Sequence, residues 1–114
     1  MKKLNNYPVY EKYYLIFNWI LDKLEKYPKS VRYSVCKKIY EITVYIYEKI
    51  IDSIYDNERL DALKQVNISI EKLRLFMRLS HDRKYISTKQ YEYISEEINE
   101  LGKMIGGWLK NCEK

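Results

Sequence analysis

The stretch "QYEYISEEINELGKMIGGWLKNC", residues 90–112, decides the fold. Tyr91, Ile94, Ile98, Leu101, Ile105, Trp108 and Cys112 recur at steps of three or four. That spacing places apolar side chains on one face of an α-helix. It predicts a helix from about Thr88 to Asn111, roughly 36 Å long, with Ser87 as its N-cap. All three glycines of the chain, Gly102, Gly106 and Gly107, lie inside this helix. Each costs roughly 1 kcal/mol relative to alanine in a helix interior. "GKMIGG" lacks the order of a phosphate-binding loop and follows a helix rather than a strand. The apolar stripe runs on past the glycines, so they do not mark a helix end. Close approach by another helix or a bulky ring is the remaining reading for Gly102 and Gly106, at the edge of the stripe. Gly107 falls on the far side of the wheel and has no such account.

Working outward, the same periodicity predicts three more helices. The first runs from about Pro8 to Lys26, with Val9, Tyr13, Ile16, Ile20 and Leu24 on one face. "YPKS" breaks the chain, because a residue before proline is biased away from helix. Ser30 is the candidate N-cap of a second helix, about Val31 to Tyr55. It carries two stripes: Val35, Ile39, Ile42, Ile46 and Ile50, then Cys36, Tyr40, Val44, Tyr47 and Ile51. "DNE" marks the next break. The third helix, about Glu58 to Ser80, has Leu63, Val66, Ile70, Leu73 and Met77 on one side and Ile68, Leu75 and Leu79 on the other. A helix apolar on two sides needs two neighbours, which predicts an oligomer. Four long helices with short links give an all-α, antiparallel up-down-up-down four-helix bundle. At 114 residues the chain is expected to be a single domain, 1–114. The thirteen tyrosines, nine of them before Ser53, suit helices that bury a ring and keep a hydroxyl in water. Tyrosine also stacks on nucleic-acid bases.

No apolar signal region follows "MKKLNN", and "YYLIFNWIL" is too short to span a bilayer. A cytoplasmic protein with no membrane role is expected, and its Cys36 and Cys112 are expected to be reduced. No spacing of His, Cys or carboxylates suggests a metal site. His81 reads as an exposed loop residue, and Glu96, Glu97 and Glu100 as a solvated face. Neither enzymatic activity nor a cofactor is expected.

Charge is uneven: the balance is +6 over residues 1–38, −4 over 39–58, +5 over 59–89 and −2 over 90–114. Arg74 and Arg78 share a face of the third helix, with Lys64 on the same side. Arg83 and Lys84 follow in a loop, and Lys37 and Lys38 lie near the start of the second helix. These seven residues are the candidate nucleic-acid contacts. A solvated face with scattered ion pairs is the other reading of the same charges.

The segment Leu73 to Lys110 resembles the accessory variability determinant (Avd) proteins of diversity-generating retroelements. The resemblance rests on "LRLFMRL", on "YIS…QYE" and on the ending "LGKMIGGW", which is similar to the family's G-[RK]-x-[IL]-G-[GS]-W. "YPKSVRY" resembles the first connection in these proteins and in related four-helix bundles encoded in ribosomal RNA intervening sequences. The resemblance implies a non-catalytic homopentameric ring with a basic surface. It implies association with a reverse transcriptase and its RNA during the cDNA synthesis that diversifies a target gene. Arg74 and Arg78 would be basic positions of the third helix, and Gly102, Gly106 and Trp108 structural ones. An oligomeric scaffold of the intervening-sequence type, with no nucleic-acid role, is the alternative.

Overall fold

Pro8 opens the first helix, where its missing N–H costs nothing. In the computed structural model, which describes residues 7–55 and 59–113, the helices are α1 (Pro8–Leu24), α2 (Lys37–Tyr55), α3 (Arg59–Asp82) and α4 (Thr88–Glu113). The described residues contain no strand. α1 packs on α2 and α4, and α3 packs on the same two helices, giving a four-cornered bundle 44 Å long. The chain is an all-α four-helix bundle with up-down-up-down order. Ile16, Ile20, Ile46, Leu73, Ile98 and Leu101 are among the fully buried side chains of the core.

α2 begins differently from the expectation. Ser30 makes no N-cap; it lies within a 3-10 turn, Lys29–Val31, that follows Pro28. A π-helical turn, Arg32–Cys36, then leads into α2. Pro28 is already extended, and its carbonyl accepts the N–H of Val31 at 3.1 Å, so the turn closes without a side-chain cap. Ser87 does cap α4. Its hydroxyl accepts the Gln90 N–H at 3.1 Å, and its own N–H donates to the Gln90 side chain at 2.8 Å. This reciprocal pair satisfies two donors that a helix start leaves open. The "DNE" break lies outside the described residues.

The tyrosines of the first half join α1 to α2. The Tyr13 hydroxyl donates to the Thr43 carbonyl at 2.7 Å, with the whole side chain buried. The Tyr10 and Tyr47 hydroxyls meet at 2.8 Å, and Phe17 packs its ring on Tyr47. Part of the second stripe of α2 is therefore covered by α1 of the same chain. In a square bundle each helix touches two neighbours, which widens the apolar arc it needs. The second stripe of α3 has no such cover: Ile68 and Leu75 are 52% and 65% exposed, and Leu79 lies beside them.

The two ends of the bundle are closed by rings. At one end Tyr27 of the first connection packs on Tyr85 of the third, centroids 5.2 Å apart. At the other, Arg59 donates to the carbonyls of Ser53 and Ile54, at 2.5 and 3.5 Å, near the end of α2. A cation there complements the negative end of the helix dipole. Trp108 holds this guanidinium over its ring at 5.4 Å and stacks on Tyr7.

Candidate nucleic-acid interface

The Tyr27–Tyr85 contact sets what stands beside it. It joins the first and third connections at one end of the bundle. Residues 26–38 supply Lys26, Lys29, Arg32, Lys37 and Lys38 and contain no carboxylate. Residues 83–89 supply Arg83, Lys84 and Lys89, again with no carboxylate. Eight cations thus meet at one end. The other 13 basic residues of the chain's 21 are outnumbered by its 16 acidic ones. The net charge of +5 is the excess of this end over the remainder. All eight are exposed, and none of Lys37, Lys38, Arg83 and Lys84 makes an ion pair with a described carboxylate.

The third connection is built to hold a lysine where glycine is usual. The Tyr85 N–H donates to the Ser80 carbonyl at 2.8 Å and the Lys84 N–H to the His81 carbonyl at 3.0 Å. This pair of bonds ends α3 with a residue in the left-handed region, a place glycine normally takes. Here it is Lys84, with φ of 64°. A non-glycine residue there costs about 1–2 kcal/mol.

The seven predicted contacts do not form one site. Lys37, Lys38, Arg83 and Lys84 share the basic end, and Arg78 lies just inside it on the last turns of α3. Arg78 is 73% exposed, with Asp82 at 3.9 Å. Lys64 is exposed but sits toward the opposite end of α3. Arg74 is turned inward. Its guanidinium donates to the Asn99 side chain of α4, and its Nε lies 3.2 Å from Glu71 without hydrogen-bond geometry. Arg74 ties α3 to α4, and a residue so engaged has little left to offer a phosphate.

Gly102 belongs to that tie. A Cβ on it would meet the Arg74 guanidinium at 3.0 Å. The close neighbour is therefore an arginine head rather than a helix or an aromatic ring. At Gly106 and Gly107 a Cβ would meet nothing within 4 Å. Nothing among the described residues requires glycine at either position. Gly106→Ala is accordingly expected to stabilise the isolated chain by up to about 1 kcal/mol, read as a rise in its melting temperature. A fall would mean that something approaches the α4 backbone there.

Other polar groups are structural. Lys12 of α1 clasps Glu97, at 2.6 Å, and Glu100 of α4. The hydrogen bond to Glu100 is the main cause that raises the lysine pKa above its ordinary value and lowers that of Glu100. Glu97 and Glu100 are thus partnered across the bundle rather than merely solvated. His81 is half-buried at the end of α3, not in the loop. It stacks on Tyr91 with centroids 4.7 Å apart, and its Nε2 lies 3.1 Å from the Thr88 hydroxyl. The third connection brings it there by folding the start of α4 back against the end of α3. Among the described residues no group of three or more His, Cys, Asp or Glu could hold a metal ion. No described helix is long and apolar enough to cross a membrane.

Two signals in this site were not read from the sequence. Neither the pairing of the two connections through Tyr27 and Tyr85 nor the left-handed Lys84 has a local pattern that announces it. The runs of cations free of carboxylates were visible as separate segments only.

No curated protein matches the chain. Residues 9–112 match the sequence model of the bAvd-like family. The matched range takes in the features above from the tyrosine seam of α1 to Trp108, with Tyr7 and Pro8 just before it. The chain therefore belongs to the bAvd-like family and is an accessory protein of the Avd type.

Proposed function

We propose that this chain is a non-catalytic accessory protein of a diversity-generating retroelement. It holds nucleic acid, template RNA or cDNA, on its basic end and associates with the element's reverse transcriptase. The observation that carries this reading is the gathering of eight exposed cations at one end, from two connections and the helix starts that follow them, against Glu25 and Asp82 at its margin. Lysines and arginines that neutralise phosphates release the cations condensed on the nucleic acid, so binding is driven by charge and weakened by salt. The strained Lys84 adds to it, since a cation kept at a glycine position at a cost to stability implies a use for the charge.

Copies of the chain assemble into a ring, as a pentamer, which multiplies the basic end and sums its field. The uncovered aliphatic row of Ile68, Leu75 and Leu79 on α3 supports assembly. The reading is tested by expressing the chain with the reverse transcriptase and the template RNA of its element. Co-purification of all three, with the RNA released as salt is raised, is the expected result. A chain that assembles yet recovers neither RNA nor enzyme overturns the proposal and leaves a plain scaffold.

A further inference from the structure

The π-helical turn Arg32–Cys36 projects a tyrosine from the basic end. Tyr33 is 83% exposed, the most exposed large apolar side chain among the described residues. Burying an aromatic ring is favourable, so a ring left in water at this position forgoes that gain. Lys37 follows Tyr33 by four residues and Tyr40 follows Lys37 by three. Tyr40 is also open to solvent, at 51% exposed. Beside it runs an open groove of about 430 Å³, lined by Leu21, Leu24, Glu25, Arg32, Lys37 and Tyr40. The helix start thus carries an exposed ring, a cation and a second ring in order along the chain, with Arg32 and Glu25 in the groove beside Lys37 and Tyr40.

We propose that Tyr33, with Tyr40 as a second ring, is a stacking platform for unpaired bases, so that the basic end takes single-stranded nucleic acid in preference to duplex. This rests on the reading of that end as a nucleic-acid interface and adds the strand state to it. The alternation suits a single strand: phosphates lie against Lys37 and Arg32 while base faces lie on the rings. A duplex keeps its base faces stacked on each other and offers the same surface only its phosphates. RNA and DNA strands present the same base faces, so stacking does not separate them.

The test is fluorescence anisotropy on the full chain with labelled oligouridine, oligodeoxythymidine and a blunt DNA duplex. The unaltered chain is expected to bind both single strands more tightly than the duplex. Tyr33→Ala should weaken single-strand binding by about 5- to 140-fold, the range for one base stack, and leave duplex binding within about twofold of the unaltered chain. Tyr33→Phe, which keeps the ring, should retain single-strand affinity. Equal losses on single strand and duplex, no loss on either, or a loss confined to one sugar type would overturn the platform while leaving the basic interface standing. Failure of the unaltered chain to bind any of the three overturns both readings.

Discussion

Replacing Lys37, Lys38, Arg83 and Lys84 together with glutamate is expected to abolish nucleic-acid binding at physiological salt and to leave the bundle folded. The four side chains are exposed and make no ion pair with a described carboxylate, so their loss removes no internal contact of that kind. Each phosphate neutralised on a single strand contributes about −0.7 to the slope of log affinity against log salt. Four such contacts make binding by the unaltered chain fall roughly fifty-fold between about 50 and 200 mM salt. The variant should lose this dependence along with the affinity, which a salt titration reads directly. Lys84→Gly separates charge from strain. It should raise stability by about 1 kcal/mol, because glycine adopts the left-handed region freely, and lower affinity modestly. A rise in both would remove the functional account of the lysine. Arg74→Ala serves as the contrast: its cost should appear as looser α3–α4 packing with little change in the salt slope.

The second large effect lies in the core. Tyr13→Ala is expected to cost about 3–5 kcal/mol, the range for emptying a buried aromatic site. Total stabilities of single domains run at about 5–15 kcal/mol, so this variant approaches unfolding. Tyr13→Phe keeps the ring and loses only the bond to the Thr43 carbonyl, at about 1 kcal/mol. The two variants therefore divide the ring's contribution from the hydroxyl's. The Tyr13 and Tyr10 hydroxyls also make stability depend on pH in alkali. Burial holds the Tyr13 hydroxyl well above its ordinary value of 10.0, and the Tyr47 hydroxyl, with burial second, pushes Tyr10 up to about 12. Both folded values are raised, so above pH 10 the unfolded chain loses protons that the folded chain keeps. This contribution to stability is whole below pH 10 and drains away as pH climbs through the folded values. Thermal melts from neutral to alkaline pH should show the decline, and Tyr13→Phe should make it shallower.

The fold was legible because periodicity alone determines it. The first stripe of α3 and the middle of the α4 stripe, Ile94 to Ile105, led to buried residues directly, and Ser87 with Gln90 is a local pattern that the structure realises as a cap. The start of α2 was not legible, because a 3-10 turn running into a π turn leaves no spacing signal. The second stripe of α2 misled in part: an apolar face does not say whether its cover comes from the same chain or another. The candidate contacts divided along the same line. Lys37, Lys38, Arg83 and Lys84 were identifiable as cations, but their convergence is a property of the tertiary fold. Arg74 resembled Arg78 in sequence and differs only in what α4 places opposite it, a glycine and an asparagine.

The most direct measurement is a map of backbone amide shifts as a single-stranded oligonucleotide is added to the isotopically labelled chain at low salt. The account predicts that the perturbed amides cluster at residues 26–40 and 83–89, with the Tyr33 ring signals among the most shifted. Shifts centred on Lys64 and the Trp108 end, or spread evenly over every charged face, would contradict it.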